Sequence, residues 1–98
     1  MKKEKTEFQS WIEKIPHSDY DRVRASIIRS LDISRATFAS WSRGDSSPSS
    51  DNQMEIAFIA YMYDKSQVFK RMVITDKNGV PEMVVKQKNV TITATLIK

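Results

Sequence analysis

The sequence predicts an α+β fold: an N-terminal four-helix domain followed by a small C-terminal antiparallel β-meander. Two changes along the chain carry that expectation. Up to about Lys65 the apolar residues recur every three or four positions, the period of a helix, whereas from Phe69 onward they alternate with polar ones, the period of a strand. The breaks between the patterned runs are marked by Pro16, by Gly44 and Pro48, and by Asn78-Gly79. This places residues 1–66 in a helical domain and 67–98 in a β extension packed on it.

The first helix opens on Thr6 with Gln9, the spacing of a capping box. It carries the stripe Phe8, Trp11, Ile12 and Ile15, and stops at Pro16. In the second, Tyr20, Val23, Ile27, Ile28 and Leu31 form one stripe, with Arg22, Arg24 and Arg29 off it. Ser18 with Asp21 suggests a capping box and a start near Asp19. The third helix has Ser34 as N-cap, Phe38 and Trp41 on one face and Gly44 just past its end. At about ten residues it is too short to stand alone. Leu31-Asp32-Ile33-Ser34 leaves no room for a loop, so the chain must turn sharply there. That turn presses Phe38 and Trp41 toward Ile27, Ile28 and Leu31, with Ile33 plugging the corner. A fourth helix runs from Ser50, with Gln53 as its box partner, to about Lys65. It shows two apolar stripes, Met54, Ala57, Phe58 and Tyr61 on one side and Ile56, Ile59, Ala60 and Tyr63 on the other, so it needs partners on two sides.

In the last third, Phe69 to Thr75 and Glu82 to Lys86 read as strands joined at Asn78-Gly79, the strongest short hairpin signal. In the third strand Val90, Ile92, Ala94 and Leu96 alternate with Thr91, Thr93, Thr95 and Ile97. Pro81, which lacks an N–H, belongs at a strand start or edge. A sheet this small has an exposed edge, and such edges commonly pair with a symmetry mate.

Composition narrows the function classes. With no cysteine, a disulfide scaffold, a thiolate zinc site and cysteine catalysis are all excluded. His17, the single histidine, follows Pro16 in a turn and reads as a surface residue. Asp19 and Asp21 beside it are better explained as capping residues than as a metal pair. Gly44 and Gly79 are the only glycines, so no phosphate-cradling loop can form, and no catalytic constellation emerges. The expectation is a non-enzyme with no cofactor and no metal. No apolar run approaches membrane-spanning length and the N-terminus lacks a signal pattern, so a cytoplasmic product is expected.

Charge is unevenly spread. The net charge is +4 and the pI about 9.5, yet the segment from Arg22 to Arg43 holds five of the six arginines, no lysine and one acid, Asp32. An arginine fork matches phosphate and the guanine edge through two parallel hydrogen bonds, which a lysine cannot do.

Taken together, Ile27, Ile28, Leu31, Ile33, Ser34, Thr37, Phe38, Trp41-Ser42-Arg43-Gly44 and Pro48 resemble the helix-turn-helix domains of the phage repressor and Cro type. The likeness covers residues 8–63 as a helix pattern, and its specific part is Ile27 to Pro48. In two places the chain departs from that family, which usually has alanine where Ile28 stands and glycine where Asp32 stands. The resemblance implies a sequence-specific DNA-binding protein, a transcriptional regulator acting as a homodimer on double-stranded DNA. It further implies that Arg35, Ala36, Ala39, Ser40 and Arg43 face base edges, that Thr37 lies at the margin, and that Ser34 and Arg24 hold phosphates. The alternative is a protein-interaction module, antitoxin-like, using the β extension or the second apolar face of helix 50–65.

Overall fold

A computed structural model describes residues 4–87 and 90–95. Four helices, α1 (Glu7–Lys14), α2 (His17–Leu31), α3 (Arg35–Arg43) and α4 (Ser50–Asp64), precede three strands, β1 (Met72–Lys77), β2 (Val80–Gln87) and β3 (Val90–Thr95). This is the α+β architecture expected. The chain divides into two compact units, Met1–Glu55 and Ile56–Lys98, and the division falls inside α4 rather than at residues 66 and 67. Among the described residues no helix is long and apolar enough to cross a membrane.

In the N-terminal unit, α1 starts as its sequence dictates. The Thr6 hydroxyl accepts from the Gln9 backbone N–H at 3.0 Å, and the Gln9 side chain accepts from the Thr6 N–H at 3.3 Å, so two of the helix's orphan donors are satisfied reciprocally. Phe8, Trp11, Ile12 and Ile15 are all buried. The start of α2 differs from expectation. Pro16 is the N-cap and the helix begins at His17, with no side-chain cap; Ser18 and Asp21 form no capping box. A proline already holds the φ that precedes a helical turn, and its carbonyl accepts from the Asp19 N–H at 2.9 Å, which moves the start two residues earlier. Similarly, α4 is capped by Ser49 and not by Ser50: the Ser49 hydroxyl accepts from the Asn52 N–H at 3.4 Å.

Phe8 is the hub of the N-terminal core. Its ring meets Phe38 edge-on at 5.7 Å and Trp41 edge-on at 6.1 Å, and lies 6.1 Å from Trp11, while Tyr20 approaches Phe38 at 6.4 Å. The aromatic partners of α3 thus come chiefly from α1, with α2 contributing the buried Val23 and Ile27; Ile28 and Leu31 are only half-buried. Edge-to-face aromatic pairs add about 0.5–1.5 kcal/mol each beyond the area they bury.

In the C-terminal unit the α4 residues Ile56, Ala57, Ala60 and Tyr61 are buried. These i, i+4 pairs draw from both stripes read in the sequence, so the helix buries one face across the seam between them, leaving Phe58, Ile59 and Tyr63 half-buried and Met62 exposed. The sheet is an antiparallel meander in the order β1-β2-β3. Asn78 and Gly79 both have positive φ, 55° and 79°, the paired left-handed turn that matches the twist of a hairpin. Register aligns Met72 with Val85, Ile74 with Met83, and Val73 with Val84, so Met72, Ile74, Pro81, Met83 and Val85 form the buried face. Pro81 is the second residue of its strand, as a residue without an N–H requires.

The first strand begins at Met72, three residues later than its sequence suggests. Val68 and Phe69 are buried in the connection before it, and the Phe69 carbonyl turns back to accept from the Met72 N–H at 2.9 Å. In β3, Leu96 and Ile97 lie outside the described residues; Val90 to Thr95 pairs with Gln87 to Glu82.

Candidate nucleic-acid interface

Two helices and the three residues between them make the site. α2 ends at Asp32, which adopts the left-handed conformation (φ 54°, ψ 50°) that the sharp turn demands. Its N–H and that of Ile33, at 3.2 Å, both return to the Ile28 carbonyl. Asp can occupy this region at some cost, so the turn forms here without a glycine. Two residues later Ser34, in extended conformation, caps α3: its hydroxyl accepts from the Thr37 N–H at 3.1 Å and sits 3.0 Å from the Thr37 hydroxyl.

α3 ends as α2 does. Gly44 has φ 80°, its N–H returns to the Ser40 and Trp41 carbonyls, and the Asp45 N–H bonds the Ser40 carbonyl at 3.0 Å. From α1, Gln9 reaches the same corner and donates its side-chain N–H to the Arg43 carbonyl at 3.3 Å. The ends of the short helix are therefore fixed from both sides.

Burying Phe38 and Trp41 turns the opposite face of α3 outward. Arg35, Ala36 and Arg43 are exposed, and Thr37, Ala39 and Ser40 half-buried. Positions 35, 36, 39, 40 and 43 are one helical face, with the two arginines about 12 Å apart along the axis at 1.5 Å per residue. Between them only small side chains project. The Ser40 hydroxyl is bonded to that of Ser46 at 2.8 Å, which ties the following loop to this face.

Residues 22–43 carry a net positive charge, and the structure adds the acids that flank them. Arg22 pairs with Asp19 at 3.2 Å, Arg24 with Asp21 at 3.3 Å, and Arg43 with Asp45 at 2.9 Å. Arg24 also lies over the Tyr20 ring, 5.8 Å from its centre. The (i, i+3) spacing of the first two pairs was legible in the sequence, but both acids lie outside the arginine-rich window. Exposed pairs of this kind are worth about 0.2–1 kcal/mol, so a phosphate competes for each arginine at small cost. Arg29 and Arg35 have no ion-pair partner among the described residues.

No protein-family model, curated protein or solved structure matches the chain.

Proposed function

We propose that the chain is a sequence-specific DNA-binding protein, a transcriptional regulator that reads the major groove with helix 34–43. The observation that carries this is the joint itself: two amphipathic helices, a left-handed Asp32, one apolar corner residue and a serine cap, which together hold a short helix with its non-core face outward. An α-helix about 10–12 Å across with its side chains fits a groove about 12 Å wide, and nine residues run about 14 Å along it. Its small residues let the backbone approach, and an arginine at each end reaches the edges.

In this reading Arg35, Ala36, Ala39, Ser40 and Arg43 meet base edges and Thr37 lies at the margin. Ser34 and Arg24 hold phosphates, Arg24 by exchanging Asp21 for the backbone. One such helix reaches few bases, so useful affinity requires two copies on a palindromic site with half-site centres about 34–36 Å apart.

The test is a titration of fluorescently labelled duplex at low and moderate salt. If two copies neutralise about six phosphates, affinity should fall ~10³-fold between about 50 and 200 mM salt. Binding that is absent at low salt would overturn the proposal and favour a protein-interaction module using the β extension, where Val73 and Val80 are exposed, or helix 50–65, where Met62 is.

A further inference from the structure

The two edges of the meander are built differently. In the β1–β2 ladder the Lys86 N–H bonds the Arg71 carbonyl at 2.8 Å, which fixes the alternation: residues 71, 73, 75 and 77 bond β2, and Met72, Ile74 and Asp76 turn their backbone groups outward. The Met72 N–H and both backbone groups of Ile74 are occupied. The Met72 N–H bonds the Phe69 carbonyl, and the Gln67 side-chain amide closes on Ile74 like a strand, accepting from its N–H at 3.0 Å and donating to its carbonyl at 2.8 Å. The β1 edge is thereby blocked at its middle, around Ile74, from within the chain. The same alternation carried through β2 directs the backbone of Val90, Ile92 and Ala94 to β2, and that of Thr91, Thr93 and Thr95 away from it. No described strand lies beyond β3.

Sequence separates the edges as well. Asp76 and Lys77 lie in β1, and Glu82 and Lys86 in β2, but Val90 to Thr95 contains no charge, no proline and no glycine. Charges and prolines are what proteins place on edges that must stay unpaired. Here they are missing from β3, beyond which no described strand lies.

We propose that β3 pairs with β3 of a second copy, antiparallel about a two-fold axis through Thr93, extending each three-stranded sheet into one of six strands. A second copy fits because Thr91-Ile92-Thr93-Ala94-Thr95 alternates identically in both directions. Pairing about Thr93 sets Thr91 opposite Thr95 of the second copy and Ile92 opposite Ala94 of the second copy, so polar rows and apolar rows both continue unbroken. Each of the three threonine pairs exchanges two backbone hydrogen bonds, and threonine opposite threonine is a favourable cross-strand pair. This interface stands whether or not α3 reads DNA.

The test is sedimentation of the full chain without DNA at tens of micromolar. The wild type should sediment at twice 11.3 kDa. Thr93→Pro removes an outward N–H that β2 does not use, and Thr93→Lys sets two like charges face to face at an exposed position; each should yield the 11.3 kDa monomer with its circular dichroism spectrum retained. Mixing Thr93→Lys with Thr93→Asp should restore the dimer. Should Thr93→Pro fail to fold, the lysine and aspartate variants decide alone. A wild-type monomer, or a dimer that survives Thr93→Lys, overturns the inference.

Discussion

Replacing Gly44 with alanine tests the joint at its most constrained point. Gly44 has φ +80°, and a Cβ there would lie 2.8 Å from Gln9 Oε1 and 3.4 Å from its Cδ. The left-handed backbone costs an alanine about 1–2 kcal/mol, of which roughly 0.4–1 is returned by the stiffer unfolded chain. Gln9 must also swing away, giving up its bonds to the Thr6 N–H and the Arg43 carbonyl, together worth about 1 kcal/mol at this partly exposed site. The net loss should be about 2 kcal/mol, or roughly 8–16 °C in melting midpoint for a small domain. Tryptophan fluorescence is the right probe, because Trp11 and Trp41 both lie in the N-terminal unit and are the only two in the chain. In a Gln9→Ala background the same substitution should cost only the backbone share, about 0.5–1 kcal/mol. Equal losses in both backgrounds would show that Gln9 is not the obstacle, and a loss under about 0.5 kcal/mol in the wild type would refute the left-handed cap itself. Asp32→Gly is the mirror experiment: it relieves the same conformation and should stabilise by a few tenths to about 1 kcal/mol.

Trp41→Ala, removing a ring 5% exposed and edge-on to Phe8, should cost about 3–5 kcal/mol in the same fluorescence melts, and a loss below about 1 would mean α3 is not anchored as described. Arg35→Ala and Arg43→Ala should each weaken binding to a preferred duplex by about 1–3 kcal/mol with little change in melting, and Arg29→Ala by less; unchanged affinity in the first two would remove α3 as the reading helix. Asp45→Asn should strengthen binding by releasing Arg43, most visibly at low salt. In the C-terminal unit, hydrogen bonds from the Tyr61 hydroxyl (2.6 Å) and the Lys65 ammonium (3.0 Å) hold the Asp76 carboxyl below its ordinary 3.8. The unfolded chain therefore takes up that proton first as pH falls, so the stabilisation is whole above about pH 4 and is lost on descending through the folded value. The Asp76 carboxylate also raises Lys65 above 10.5, with a stabilisation present below that pH and lost above it. Circular dichroism melts of Asp76→Asn across pH should lack the acid-side decline that the wild type shows.

Local chemistry was legible in the sequence wherever one residue determines its own neighbourhood. Thr6 and Gln9, Ser34, Gly44, and Asn78-Gly79 each act within four residues, and each occupies the predicted place. Misplaced starts arose where two signals competed, as at Pro16 against Ser18 and at Ser49 against Ser50, because the first residue able to satisfy the orphan N–H groups wins. Phe8 could not be recognised as the hub beneath α3, since a stripe shows which residues are buried but not what they meet thirty positions away. For the candidate site, the outward face of α3 followed directly from the spacing of Phe38 and Trp41. Its charge did not: Asp19, Asp21 and Asp45 stand just outside the arginine-rich window and offset three of its five arginines. The role of Gln67 left no trace in any period, because a side chain that imitates a strand obeys no strand pattern.

That glutamine has a consequence for how far association can run. A sheet with two open edges behaves as a bifunctional monomer: each addition exposes a fresh edge, and growth has no natural end point. With the Gln67 amide seated on Ile74, the β1 end of this sheet is blocked at its middle, so association through β3 would close at two copies. Under that pairing, one side-chain amide would make the difference between a closed pair and an open-ended filament.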